Sequence, residues 1–126
     1  MTDEQIKKYY NVALTMNDAP LSLVPTIILM SQHMDNNNTL ILYTELRHNF
    51  MLELNVGKSR MSQLIKLLEQ YGIIEQNIDI KIKYQIAPFV VSYEKLKERK
   101  QIRFTGTIME NNNVIIDVIE QMVGGE

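Results

Sequence analysis

Apolar residues recur at helical spacing near the start of the chain, where Ile6, Tyr9, Tyr10, Ala13 and Leu14 fall on one face of residues 3–16. The spacing predicts a short amphipathic helix, ended by the break Asn17-Asp18-Ala19-Pro20. A second helix is expected from Pro25, because proline suits a first turn, to about Met34, with Ile27, Ile28 and Met30 inward. Asp35-Asn36-Asn37-Asn38 is a polar loop, and Thr39-Leu40-Ile41-Leu42-Tyr43 a short β-prone segment. Thr44 is the expected N-cap of a third helix over 45–54, with Leu46, Phe50, Met51 and Leu54 on one face. After the turn signal Asn55-Val56-Gly57, Ser59 is expected to cap a fourth helix over 59–71. Its apolar face is Met61, Leu64, Ile65, Leu68 and Tyr71, and Gly72 stands where a left-handed cap is wanted.

Beyond Gly72 the period changes to two. Ile78, Ile80, Ile82, Tyr84 and Ile86 alternate with Asp79, Lys81, Lys83 and Gln85, which predicts a half-buried strand with a charged outer face. Ile73-Ile74 begins its partner strand, Glu75-Gln76-Asn77 is the expected turn, and Pro88 ends the ladder. Residues 89–103 are basic and partly amphipathic, with a helix expected through Tyr93, Leu96 and Lys100. Asn111-Asn112-Asn113 is an expected loop, 114–123 an expected last apolar helix, and Gly124-Gly125-Glu126 an end expected to fray. The fold class is therefore α+β, mainly α with a small β-hairpin. Two helices joined by a short turn and followed at once by a hairpin are the order of a winged helix-turn-helix. With 126 residues there is room for one core, so residues 1–126 are read as a single domain with helical extensions at both ends.

Composition narrows the chemistry. There are no cysteines, which excludes disulfides, thiolate metal sites and cysteine nucleophiles. The two histidines, His33 and His48, lie at no metal-ligand spacing with each other or with nearby carboxylates. No glycine-rich phosphate loop and no Ser-His-Asp order occurs, so neither an enzyme nor a cofactor is expected. Residues 1–8 are polar and the longest apolar run, Thr26-Ile27-Ile28-Leu29-Met30, is far short of a membrane span. A cytoplasmic protein that does not engage membranes is expected. The net charge of −2 is unevenly spread: residues 1–57 sum to −3, residues 58–103 to +5, and residues 104–126 to −4. A phosphate backbone responds to the local field, so a basic middle suits one DNA-facing surface.

Three runs carry a family resemblance: "MDNNNTLILYTELRHNF", "VGKSRMSQLIKLLEQYGII" and "IKYQIAPFV". Residues 25–88 resemble the small plasmid replication initiators of Gram-positive bacteria, the RepL type, and related winged-helix regulators. The last run is similar to the family's strand ending in Tyr-x-Ile-Asn-Pro, with Ala87 standing in the asparagine position. The resemblance implies a plasmid or phage replication initiator, acting by opening an origin and recruiting host replication proteins, or a transcriptional regulator.

Burying the apolar face of the fourth helix turns Arg60, Ser62, Gln63 and Lys66 to solvent, and no acid occurs between Asn55 and Leu68. Gln63 suits a bidentate contact to adenine and Arg60 one to guanine. The hydroxyls of Ser59 and Ser62 suit phosphate or base contacts, and Lys58 lies at the positive end of the helix. On the hairpin, Lys81 and Lys83 share a strand face and are placed to straddle a phosphate. Sequence-specific binding of double-stranded DNA through Lys58, Ser59, Arg60, Ser62, Gln63, Lys66, Lys81 and Lys83 is the expectation. Its alternative is a winged helix that docks another protein, which the acidic ends favour slightly. The basic run Lys95, Lys97, Arg99, Lys100 and Arg103, interleaved with Glu94 and Glu98, reads as a solvated face, with a DNA-flanking contact as the alternative. The apolar faces of the two terminal helices are expected to pair across a two-fold axis, making a homodimer whose recognition helices lie about 34 Å apart.

Overall fold

In the computed structural model the helical spacing at the start of the chain becomes α1, Asp3–Met16. Its first turn closes as a capping box: Gln5 N–H donates to Thr2 Oγ1 at 3.2 Å, and Thr2 N–H donates to Gln5 Oε1 at 2.8 Å. Ile6, Tyr9, Tyr10, Ala13 and Leu14 are all buried. The Tyr9 and Tyr10 hydroxyls donate to the carbonyls of Phe89 and Val91, tying α1 to the segment beyond the sheet. A 3-10 turn, Leu21–Leu23, leads into α2, Val24–His33, with Pro25 in its first turn.

The short strand β1, Thr39–Ile41, precedes α3, Thr44–Leu54, and α4, Lys58–Gln70. Two expected caps move by a residue or two. Thr44 is the first helical residue and Tyr43 its cap, while Gly57 rather than Ser59 caps α4; neither cap makes a side-chain hydrogen bond. The turn between the helices rests on Asn55, at φ 55° and ψ 50°, a left-handed conformation that asparagine tolerates better than most residues. Gly72, at φ 71°, takes the left-handed position after α4.

The chain then forms β2, Ile74–Gln76, and β3, Lys83–Ile86. With β1 they make an antiparallel sheet in the order β1-β3-β2, so β3 is central. Leu40 and Gln76 lie opposite Tyr84, and Ile74 opposite Ile86. Leu40, Ile74, Tyr84 and Ile86 are buried in one cluster with Phe50, Met61, Leu64 and Leu68 from the helices. The long alternating strand expected over 78–86 is therefore cut to four residues, and the turn runs over residues 77–82 rather than 75–77. Ile78, Ile80 and Ile82 remain 96%, 48% and 45% exposed. The inner face of the sheet is already filled by the four residues above. Asn77 Oδ1 also bends the chain by accepting the N–H groups of Asp79 at 2.9 Å and Ile80 at 2.8 Å. As a further consequence Lys81 lies outside the strand, so Lys81 and Lys83 do not share a strand face.

Helix α5, Tyr93–Glu98, is followed by the strands β4, Arg99–Ile108, and β5, Val114–Met122, which pair antiparallel with Phe104 opposite Val118. The helix expected through Lys100 thus stops at Glu98, and the expected C-terminal helix is a strand. Val114, Ile115, Ile116, Val118 and Ile119 are β-branched, which disfavours helix and suits a pleated surface. The proposed pairing of terminal helices loses both its parts, because β5 is not a helix and the apolar face of α1 is covered within the chain. The structure describes residues 1–108 and 114–122; the expected loop at Asn111, Asn112 and Asn113, Val123, and the end Gly124, Gly125 and Glu126 lie outside the described residues. The fold is mainly helical with a small three-stranded antiparallel sheet, an α+β arrangement, and no helix among the described residues is long and apolar enough to cross a membrane.

Candidate nucleic-acid interface

Helix α4 is the most clearly two-faced element. Met61, Leu64, Ile65 and Leu68, at steps of three and four, are buried against the sheet and the neighbouring helices. That rotation leaves Lys58, Ser59, Arg60, Gln63 and Lys66 exposed, as the sequence pattern required, whereas Ser62 is half-buried. The N-terminus of α4 has no side-chain cap, so its first N–H groups are open to an anion beside Lys58 and Arg60.

The exposed face is internally linked. Arg60 Nη1 donates to Gln63 Oε1 at 2.7 Å, one helical turn away. This holds the guanidinium along the helix and leaves the Gln63 amide nitrogen as an outward donor. Together they present donors suited to the acceptors of a guanine edge, while a bidentate Gln63–adenine contact requires that link to open. Ser62 is engaged as well: Arg47 Nη2, from α3, donates to its Oγ at 2.8 Å. Ser62 keeps its own proton for donation, so it positions Arg47 as much as it offers a contact itself.

Arg47 is the cation the sequence pattern passed over. It stands on α3, but its guanidinium reaches α4 and adds a positive charge to that surface. The signal was present: in residues 1–57, otherwise acidic, Arg47 is the one base beyond Lys8. The same charge acts on Tyr84, whose hydroxyl is pushed up in pKa first by burial and then by the charge of Glu69, with Arg47 opposing.

Strand β2, which leads into the loop before β3, packs against α4. Gln76 Nε2 donates to the Lys81 carbonyl at 2.8 Å, and Asn77 N–H donates to the Lys83 carbonyl at 2.8 Å, which close the loop at its base. Lys81 is exposed and Lys83 half-buried at the start of β3. Of the other candidates, His33 packs on the Phe50 ring at 5.6 Å between centroids, His48 is exposed, and Lys97 pairs with Asp3 at 2.9 Å. The Tyr93 hydroxyl also donates to Asp3; this bond, then the Lys97 ammonium, lowers the Asp3 pKa. No group of three or more His, Asp or Glu among the described residues is placed to hold a metal ion. Comparisons with known protein families, curated proteins and solved structures found no match to this chain.

Proposed function

We propose that this chain binds double-stranded DNA sequence-specifically, with α3 and α4 as a helix-turn-helix, α4 in the major groove, and the β2–β3 hairpin as a wing. The observation that carries the reading is the exposed face of α4. Five polar or basic side chains, Lys58, Ser59, Arg60, Gln63 and Lys66, lie along it, and no carboxylate occurs before Glu69. A single acid on the first two turns would oppose the phosphates across a narrow gap. The basic segment 58–103, at +5, lies in the same part of the chain.

The roles divide by chemistry. Arg60 and Gln63 read base edges, while Lys58, Lys66 and the wing lysines Lys81 and Lys83 meet phosphates. The resemblance to RepL-type initiators makes the biological setting a plasmid or phage replication origin or a promoter in a cytoplasm. Mapping the bound site separates the two. We extend the proposal to a homodimer reading two half-sites. Its support is the hairpin β4–β5, since a two-stranded ribbon is marginal alone and its edges can be extended by a second copy. Light scattering at micromolar concentration giving the mass of one chain contradicts that extension.

Selection of bound duplexes from a random pool tests the main proposal. Enrichment of one sequence by the wild type, lost in Arg60→Ala and Gln63→Ala variants with unchanged circular dichroism, supports it. Failure to retain any duplex, or identical enrichment by both variants, contradicts it.

A further inference from the structure

Arg47 is half-buried at the joint between α3 and α4. Its guanidinium carries five N–H donors, and the described residues engage one of them, through the 2.8 Å bond from Nη2 to Ser62 Oγ. Among the described residues no carboxylate lies within ion-pair distance of it. Taking a guanidinium partly out of water without a counter-charge is unfavourable, and an incoming anion removes that deficit. The planar fork suits the paired oxygens of a carboxylate or a phosphate.

The surroundings narrow the anion. Lys58, Ser62 and Lys66 follow one another at steps of four along α4, so they form a single row with about 6 Å between successive residues. Lys58 and Lys66 are exposed, and Arg47 is tied to the middle residue of the row. The row therefore presents three positive charges in line, and the first acid of α4, Glu69, comes after its end. A single carboxylate would use one of these charges. A nucleic-acid backbone, with an anion at every nucleotide, uses all three.

We propose that Arg47 is a phosphate ligand of the duplex bound by α4, that Ser62 is its positioning residue, and that Lys58, Arg47 and Lys66 together grip the backbone of one strand. The inference rests on the DNA-binding reading above. In this arrangement Ser62 aims the Arg47 fork instead of touching DNA, and base reading is left to Arg60 and Gln63. Arg47 adds one phosphate contact to those of the lysines, so it steepens the salt dependence that they alone set by about 0.9.

The test scans a duplex carrying the selected site with single methylphosphonate linkages, each of which replaces one charged phosphate by a neutral one. Binding is read by fluorescence anisotropy. For the wild type, one linkage in contact with Arg47 is expected to weaken binding about tenfold. Arg47→Ala is expected to be weaker by a similar factor on the unmodified duplex, insensitive to that linkage, and less steep in salt by about 0.9. Arg47→Gln, which keeps a donor for Ser62 and removes the charge, is expected to behave in the same way and covers the case in which alanine disturbs the fold. Ser62→Ala is expected to weaken binding about fivefold in the wild-type background and not at all in Arg47→Ala, while Ser62→Thr, which keeps the hydroxyl, restores it. If Arg47 only staples α3 to α4, its variants bind less tightly but keep the wild-type salt slope and the wild-type response to every linkage; that result overturns the proposal. A Ser62→Ala loss that persists at full size without Arg47 overturns the positioning role. Arg47 variants equal to the wild type in affinity and slope remove Arg47 from the site and leave the α4 reading standing. If the wild type forms no complex with any duplex, the DNA-binding reading falls and the Arg47 contact with it.

Discussion

Asn38 joins the loop before β1 to the far end of the sheet, and its replacement gives a graded test of that joint. The residue sits at φ 55°. Its Nδ2 donates to the carbonyls of Val90 at 2.9 Å and Ala87 at 3.2 Å, and its own carbonyl accepts Ile86 N–H at 2.7 Å. Asn38→Gly removes these two side-chain bonds, and a long third one to the Ile86 carbonyl at 3.5 Å, but keeps the backbone conformation. At about 1 kcal/mol for each bond, with some added cost for the carbonyl of fully buried Val90, the loss is about 2–3 kcal/mol. Asn38→Ala removes the same bonds and also places a Cβ in a left-handed conformation, which costs about 1–2 kcal/mol more. Part of that difference is offset because glycine gains more freedom in the unfolded chain, by about 0.5–1 kcal/mol. The expected order of stability is wild type, then Asn38→Gly, then Asn38→Ala, in urea unfolding followed by circular dichroism. An alanine variant as stable as the glycine variant or more so would refute the strain argument. A loss under about 0.5 kcal/mol in both would refute the role of the two hydrogen bonds.

Phe50→Ala, at a side chain 2% exposed between α2, α4 and the sheet, should cost about 3–5 kcal/mol in the same assay, and a loss below about 1 kcal/mol would contradict the packing described. Arg60→Ala and Gln63→Ala should each weaken binding to a matched site by about 1–3 kcal/mol. Because Arg60 donates to Gln63, the double variant should lose less than the sum, and strict additivity in a double-mutant cycle would show the pair acting independently. Lys81→Ala with Lys83→Ala should weaken binding to all sequences alike and flatten its salt dependence; a change of sequence preference at constant salt slope would contradict phosphate contact.

The helical half of the fold was legible because each helix has a closed apolar stripe. The placement of Ile6, Tyr9, Tyr10, Ala13 and Leu14, and of Met61, Leu64, Ile65 and Leu68, follows from spacing alone. The exposed basic face of α4 was legible for the same reason. Alternation misled over 78–82, since a period of two makes a strand only where something covers the apolar side, and Tyr84 and Ile86 already complete the inner face of β3. At the C-terminus an apolar run fits a buried helix or a strand equally by periodicity; the β-branched residues from Val114 to Ile119 were the better signal. The reach of Arg47 to Ser62 was not legible, because it depends on the angle between α3 and α4, which the left-handed turn at Asn55 determines.

Fluorescence anisotropy of an end-labelled random duplex, titrated with the wild-type protein at several salt concentrations, tests the central claim most directly. If Lys58, Lys66, Lys81 and Lys83 displace counterions from about four phosphates, the logarithm of the association constant should fall linearly with the logarithm of salt, with a slope near −3.6. Affinity should then drop roughly 150-fold between about 50 and 200 mM salt. Absence of binding at about 50 mM salt, or binding that does not weaken as salt rises, would contradict the assignment of this surface to DNA.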